Sequence, residues 1–189
     1  MTVPLNVPNV LTMLRILLVP VLVVALLDQT DGGLLAAGVF AVASLTDAID
    51  GYLARSRNSV TTFGKLMDPI ADKLLIVAAL VALVSLARLQ AWVAMVIIAR
   101  EFGVTVLRVA AGAQRGIVIS ASALGKLKTA TQVAMVLVLI AVHGRPLWVS
   151  LLVYATVAIT VLSGADYFFG FRRGLSARAP ERAGVSPGA

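Results

Sequence analysis

Long apolar runs divide the sequence, and they constrain the fold more than any other feature does. Each run is about 20 residues long, the length that a helix needs to cross the hydrocarbon core of a bilayer. Short segments with glycine, proline or charged residues separate them. We predict six spans, at residues 8–27, 34–55, 63–87, 91–111, 123–142 and 147–171. The expected fold class is therefore all-α, a polytopic membrane protein with six transmembrane helices.

The composition excludes a soluble globular domain. Of the 189 residues, 60% are hydrophobic and only 13% are charged, whereas a soluble domain carries about 25% charged residues. A soluble core of this length cannot enclose so much apolar surface. The chain contains no cysteine, which excludes disulfides and thiolate metal sites.

Lys and Arg are concentrated in alternate loops, and this predicts the orientation in the membrane. The connections after the second and fourth spans and the C-terminal tail are basic. By the positive-inside rule, both termini face the cytoplasm of a multi-pass plasma-membrane protein. The net charge of +7 follows mostly from this asymmetry, so we expect no nucleic-acid partner. Residues 1–173 form the expected membrane domain, and the composition of 174–189 predicts a disordered cytoplasmic tail.

Four aspartates interrupt the second and third spans: Asp47, Asp50, Asp68 and Asp72. A carboxylate in a membrane segment is costly, so it marks a candidate functional site. Asp47 and Asp50 lie about 60° apart around one helix, and the other two, four residues apart, share a face of the next helix. Because a short loop joins these helices, we expect all four carboxylates to surround one small volume that opens to the cytoplasm.

Carboxylates this close repel one another unless cations neutralise them. An all-oxygen site favours a hard ion, Mg²⁺ or Mn²⁺, and two such ions can clamp a phosphate during in-line displacement at phosphorus. Next to the aspartates, Gly51 and Ala54 would let a ligand approach the helix backbone, and Arg55 can donate to a phosphate. The sequence therefore predicts two divalent ions and a substrate that contains phosphate.

The residues of this segment resemble the signature of a known family, the CDP-alcohol phosphatidyltransferases. The matching motif is Asp47-x2-Asp50-Gly51-x2-Ala54-Arg55-x8-Gly64-x3-Asp68-x3-Asp72. The resemblance implies six transmembrane helices, a dinuclear Mg²⁺ or Mn²⁺ site, and transfer of a phosphatidyl group from CDP-diacylglycerol to an alcohol with release of CMP. It implies that all four aspartates belong to the metal site, that Asp72 is also the base for the acceptor hydroxyl, and that Gly51, Ala54 and Arg55 hold the CDP moiety.

Other segments, each less specific than the aspartate motif, indicate which acceptor alcohol the family member uses. The segments Pro8-Asn9-x2-Thr12-x2-Arg15, TTFGKLMDPIADKLL, IIAREFGVTVLR, GKLKTATQ and SGADYFFG resemble the family members that use glycerol 3-phosphate, the phosphatidylglycerophosphate synthases. An acceptor that carries a phosphate also needs cationic partners. The candidates near the cytoplasmic ends of spans four and five are Arg108, Arg115, Lys126 and Lys128. Topology and contact with lipid headgroups explain each of them equally well.

Several alternatives stay open at this point. The acceptor can instead be inositol phosphate, serine or phosphatidylglycerol, and more distant readings are a membrane prenyltransferase or a cation transporter. Direct displacement is the expected mechanism, with a covalent phosphatidyl-aspartate route as the alternative. A homodimer is a further expectation, since many small six-helix proteins pair. We also expect Glu101 and Arg108 to form an ion pair and Tyr167 to be an interfacial anchor. Asn9, Thr12 and Arg15 share a broad helix face and are expected to cover the nucleotide site, although helix packing explains Asn9 and Thr12 equally well.

Overall fold

The computed structural model describes the backbone of residues 7–28, 33–57, 62–113 and 123–176. This part of the chain is helical, without strands, and contains six helices. They are α1 (Val7–Leu27), α2 (Leu34–Arg57), α3 (Thr62–Ser85), α4 (Ala91–Ala113), α5 (Ala123–Ala141) and α6 (Leu147–Ser176). The helices coincide with the six predicted spans to within a few residues at most ends, but α6 continues to Ser176, into the predicted tail. The rest of the tail, 177–189, lies outside the described residues.

Among the residues that the structure describes, three segments are long and apolar enough to cross a membrane: Val10–Leu27, Ala123–Ala141 and Leu147–Gly170. Shorter apolar segments among the same described residues lie in α2, at Leu34–Thr46, and in α3, at Lys73–Ser85. The structure thus supports a helical membrane protein, while spanning by all six helices and the cytoplasmic termini remain predictions.

The core contains residues from all six helices. Its fully buried large side chains include Phe40 of α2, Leu80 of α3, Ile97 of α4 and Met135 of α5. Small residues such as Ala79 lie between them and let the helices approach closely. Many large apolar side chains remain on the outer surface of the bundle, as expected where lipid rather than water surrounds the helices. α1 packs against both α2 and α3, which holds the two aspartate-bearing helices in one bundle.

Two arginines connect the turns at one end of the bundle. After α3, Arg88 donates from Nη1 to the carbonyl oxygen of Ile140 at 2.9 Å. After α5, Arg145 donates from Nη2 to the carbonyl oxygen of Ala87 at 2.7 Å. Gly33 approaches the same place with φ +79°, where a Cβ would lie 3.1 Å from the Ile140 oxygen. The start of α2 and the ends of α3 and α5 therefore meet at this end, and the aspartate segment lies toward the opposite end.

Candidate functional site

The four aspartates lie on α2 and α3, at positions 47, 50, 68 and 72. Their side chains are outside the part of the chain whose side chains the structure describes, as are Gly51, Ala54 and Arg55. Arg115 lies outside the described residues altogether. The metal, catalytic and CDP-binding roles of these residues therefore stay predictions, and so does a role of Arg115 at the acceptor phosphate.

A cavity of about 930 Å³ lies among five of the helices, α2 to α6, next to the aspartate segment. Its lining on α2 includes Ser44, and its lining on α3 includes Lys73 and Ile76. Position 47 follows Ser44 by three residues and position 72 precedes Ile76 by four, spacings that put residues on one face of a helix. By helical register, positions 47 and 72 each share a helix face with a residue that lines the cavity.

Cations dominate the described lining of this cavity. Glu101 is its one carboxylate there, and it is outnumbered by five cationic side chains: Lys73, Arg100, Arg108, Lys126 and Lys128. Charges enclosed by apolar helices interact more strongly than they do in water. A surplus of positive charge in such a cavity attracts anions, and guanidinium and ammonium groups are the usual partners of phosphate.

Glu101, on α4, is the centre of this cluster. It is 8% exposed and accepts a hydrogen bond from the ammonium group of Lys128, which is 5% exposed. Lys73 Nζ lies 3.7 Å from Glu101 Oε2, and Arg100 Nη1 lies 3.8 Å from Glu101 Oε1. The carboxylate thus offsets the desolvation of a buried lysine, which would be very costly alone.

The expected ion pair between Glu101 and Arg108 is wrong. Seven residues on one helix are separated by about 10.5 Å along its axis, whereas Lys128 and Lys73 reach Glu101 from neighbouring helices. Arg108 instead donates from Nη2 to the hydroxyl oxygen of Tyr167 at 3.0 Å. Helical spacing identified the shared face but not the partners that come from other helices.

Tyr167, on α6, has a different place from the one that the sequence predicted. It is 4% exposed and lines the cavity, so it is not an interfacial anchor. The guanidinium carbons of Arg100 and Arg108 lie 5.6 and 5.4 Å from the centre of its ring, within the range of cation–π contacts. Gly164 lets the Arg100 stem approach α6, because a Cβ at that position would lie 3.3 Å from Arg100 Cγ.

Three of the four proposed acceptor contacts meet in the cavity. Arg108 and Lys126 line it and are exposed, while Lys128 lines it but is buried against Glu101. Sequence reasoning missed Lys73 as a cavity residue, although it directly follows Asp72. Thr12 and Arg15, which were expected with Asn9 to cover the nucleotide site, are buried and do not line this cavity. Because the residues of the nucleotide site lie outside the described side chains, this role stays a prediction. The side chain of Asn9 is not among those described.

The described residues contain no group of three or more His, Cys, Asp or Glu that could hold a metal ion. Glu101 is a poor candidate ligand, since three cations already surround it. The aspartate segment is a better fit to a metal by its chemistry, because it supplies four carboxylates on two neighbouring helices. Carboxylate oxygens are the donors that Mg²⁺ and Mn²⁺ prefer.

Comparison with known proteins agrees with this description. The family model for CDP-alcohol phosphatidyltransferases matches residues 5–162. A Bacillus subtilis protein named CDP-diacylglycerol–glycerol-3-phosphate 3-phosphatidyltransferase is 41% identical over 182 residues, covering 86% of this chain and 93% of the relative. A Mycobacterium tuberculosis protein named as a probable phosphatidylglycerophosphate synthase is 43% identical over 168 residues, covering 86% and 79%.

A third relative, from Rickettsia felis, has the same name as the Bacillus protein and is 34% identical over 170 residues, covering 86% of this chain and 93% of its own. The family resemblance drawn from the segment between Asp47 and Asp72 is therefore confirmed. The chain belongs to the CDP-alcohol phosphatidyltransferase family, and it is an enzyme of phospholipid biosynthesis.

Proposed function

We propose that this enzyme transfers the phosphatidyl group of CDP-diacylglycerol to glycerol 3-phosphate, which gives phosphatidylglycerophosphate and CMP. The observation that carries the proposal is the excess of cations over carboxylates among the described residues that line the cavity. CDP-diacylglycerol and glycerol 3-phosphate both bring phosphate charge to the site, and the cations would balance it. The names of the relatives from Bacillus and Rickettsia support the choice of glycerol 3-phosphate as acceptor.

The four aspartates, Asp47, Asp50, Asp68 and Asp72, are the proposed ligands of two Mg²⁺ or Mn²⁺ ions. When bound, these ions would neutralise charge that develops on the departing CMP. Gly51 and Ala54 have almost no side chain and would let the CDP moiety approach α2. Arg55 is the proposed donor to its phosphate. Register supports this arrangement, because positions 47 and 72 share helix faces with residues that line the cavity.

The reaction is a direct displacement at phosphorus. Asp72 accepts the proton of the attacking glycerol hydroxyl. The hydroxyl oxygen forms a bond to the β-phosphorus of CDP-diacylglycerol, and the bond between this phosphorus and the CMP oxygen breaks. Arg108 and Lys126 orient the phosphate of the acceptor. Inversion at a chiral β-phosphorus supports this single step, while retention would favour the route through a covalent phosphatidyl-aspartate.

The proposed setting is the plasma membrane, crossed by all six helices with both termini in the cytoplasm. The diacyl chains of the donor then remain in lipid while its headgroup enters the cavity from the cytoplasmic side. Many large apolar side chains on the outside of the bundle support a lipid environment. The basic connections after α2 and α4 support the orientation.

The deciding experiment measures CMP release from CDP-diacylglycerol by the purified protein. Release should require both glycerol 3-phosphate and Mg²⁺ or Mn²⁺. Substituting inositol phosphate, serine or phosphatidylglycerol for glycerol 3-phosphate tests the rival acceptors of the same family. A prenyltransferase or a cation transporter would release no CMP. Full turnover in excess chelator would reject the metal site. The acceptor assignment would then still depend on the comparison of glycerol 3-phosphate with the rival acceptors.

A further inference from the structure

Gln132, on α5, is a buried polar residue to which the proposed reaction gives no role. It is 2% exposed and lines the cavity. Its amide nitrogen and its amide oxygen both lack a hydrogen-bond partner among the described residues. A buried amide without partners is costly, and native proteins rarely keep one without a reason. Because Gln132 lines a cavity, a ligand in that cavity is a candidate for the missing partner.

The position of Gln132 relates it to the acceptor. It follows Lys128 by four residues, so the two share a face of α5 and are about 6 Å apart along the helix axis. The next lining residues on α5 are apolar, Val133 and Leu137. Gln132 thus lies between the cationic part of the cavity and its apolar part. A three-carbon phosphate ester, with its phosphate on the cations and its carbons toward the apolar part, would lie alongside Gln132.

The chemistry of the amide selects the ligand group. Its NH₂ donates and its carbonyl oxygen accepts, so a single group that satisfies both must itself donate and accept. A hydroxyl does this. An ester carbonyl or a phosphate oxygen only accepts, and it would leave the Gln132 oxygen unpaired. Glycerol 3-phosphate has one hydroxyl that attacks phosphorus, at C1, and one that does not react, at C2.

We propose that Gln132 binds the C2 hydroxyl of glycerol 3-phosphate and thereby determines acceptor specificity. This inference rests on the proposed function, since it needs glycerol 3-phosphate in the cavity. A site whose amide pairs with a hydroxyl discriminates against an acceptor that lacks the hydroxyl, because the buried amide is then left unpaired.

The test compares two acceptors in the CMP-release assay. Glycerol 3-phosphate has the C2 hydroxyl, and 3-hydroxypropyl phosphate lacks it but keeps the attacking hydroxyl and the phosphate. The wild-type enzyme should prefer glycerol 3-phosphate by about 10-fold or more in kcat/KM. In Gln132→Met, which keeps the length of the side chain and removes the amide, kcat/KM for glycerol 3-phosphate should fall by that factor. The value for 3-hydroxypropyl phosphate should change little, so the ratio approaches one.

Thr160→Val is the matched control. Thr160 is also fully buried and its hydroxyl has no partner among the described residues, but it does not line the cavity. Its substitution should leave the preference between the acceptors unchanged. Where Gln132→Met does not fold, Gln132→Asn draws the same amide back by one methylene and should also lower the ratio.

Two results would overturn the inference while leaving the proposed function intact. One is an equal loss of kcat/KM with both acceptors, which indicates a structural role for Gln132. The other is an unchanged preference in either Gln132 variant, which means that the partner of the amide is water or the donor lipid. If the wild-type enzyme releases no CMP with glycerol 3-phosphate, the proposed function fails, and the inference fails with it.

Discussion

Arg108 differs from its neighbours in the cavity because its described partner is uncharged. Glu101 balances charge on Lys128 and Lys73, whereas Arg108 contacts the hydroxyl and the ring of Tyr167. The hydroxyl orients the guanidinium without neutralising it. Arg108 is also exposed to the cavity, so its charge remains available to an anionic ligand.

Arg108→Ala should therefore raise the KM for glycerol 3-phosphate, by about 10-fold or more, because a charge-assisted contact to phosphate is lost. The KM for CDP-diacylglycerol should rise much less. Steady-state CMP release with each substrate varied in turn measures both values. Tyr167→Phe keeps the ring contact and removes only the hydroxyl, so its effect should be smaller. Equal increases in both KM values for Arg108→Ala would argue against an acceptor site here.

Binding measurements can separate the proposed role of Asp72 as the base from the metal-binding role proposed for all four aspartates. Asp72→Asn keeps the size of the side chain and can still offer a carbonyl oxygen to a metal ion, but it cannot take up the proton of the attacking hydroxyl. We expect folding and much of the Mn²⁺ binding to persist while kcat falls by about 100-fold or more. Calorimetry of Mn²⁺ binding and CMP release give the two readouts. A variant close to the wild-type rate would remove Asp72 as the base.

At the scale of helices, the sequence predicted the elements better than the contacts between them. Apolar runs bounded by glycine, proline and charged residues gave all six helices, because span length and helix breakers are local properties. The partners of Glu101 and Arg108 come from α3, α5 and α6, so spacing within α4 did not reveal them. Tyr167 was misassigned for the same reason, since its distance from the helix end suggested an interface but packing buries it.

Arg88 and Arg145, at the end of the bundle away from the cavity, stabilise helix ends and have no proposed role in the reaction. Arg88 satisfies a carbonyl in the last turn of α5, where intrahelical donors are lacking. A second carbonyl, that of Leu139, lies 3.5 Å from the same nitrogen. Arg88 and Arg145 both connect the turn between α3 and α4 with the turn between α5 and α6. They therefore hold the α3–α4 pair against the α5–α6 pair.

Arg88→Met should lower the free energy of unfolding by about 1–3 kcal/mol, since it keeps much of the stem and leaves part-buried carbonyls without a donor. Arg145→Met is the matched comparison. Its contact to the Ala87 carbonyl is exposed, so water can replace the lost donor and the decrease should be smaller. Equilibrium unfolding of the purified proteins in detergent, with CMP release as a check of the site, measures both. A larger loss for Arg145→Met would contradict this ranking.

For the whole molecule, charge is divided between the two ends of the bundle. The cavity cations, the aspartate segment and the basic end of α6 lie toward one end. The opposite end holds Arg88 and Arg145, both engaged with backbone carbonyls. In the proposed reaction, a donor lipid with an anionic headgroup and a soluble anionic acceptor both reach the first end. The proposed reaction thus requires that end to face the cytoplasm, where the positive-inside rule also places it.

This orientation can be measured directly, because the chain has no cysteine and any introduced thiol is the only one present. His143→Cys, between α5 and α6, should react with a membrane-impermeant maleimide in intact cells. Ser186→Cys, in the C-terminal tail, should react only after the membrane is permeabilised. Both variants should keep CMP release, since neither position lines the described cavity. The opposite labelling pattern would invert the topology, and with it the cytoplasmic site, while leaving the family and the cavity chemistry unchanged.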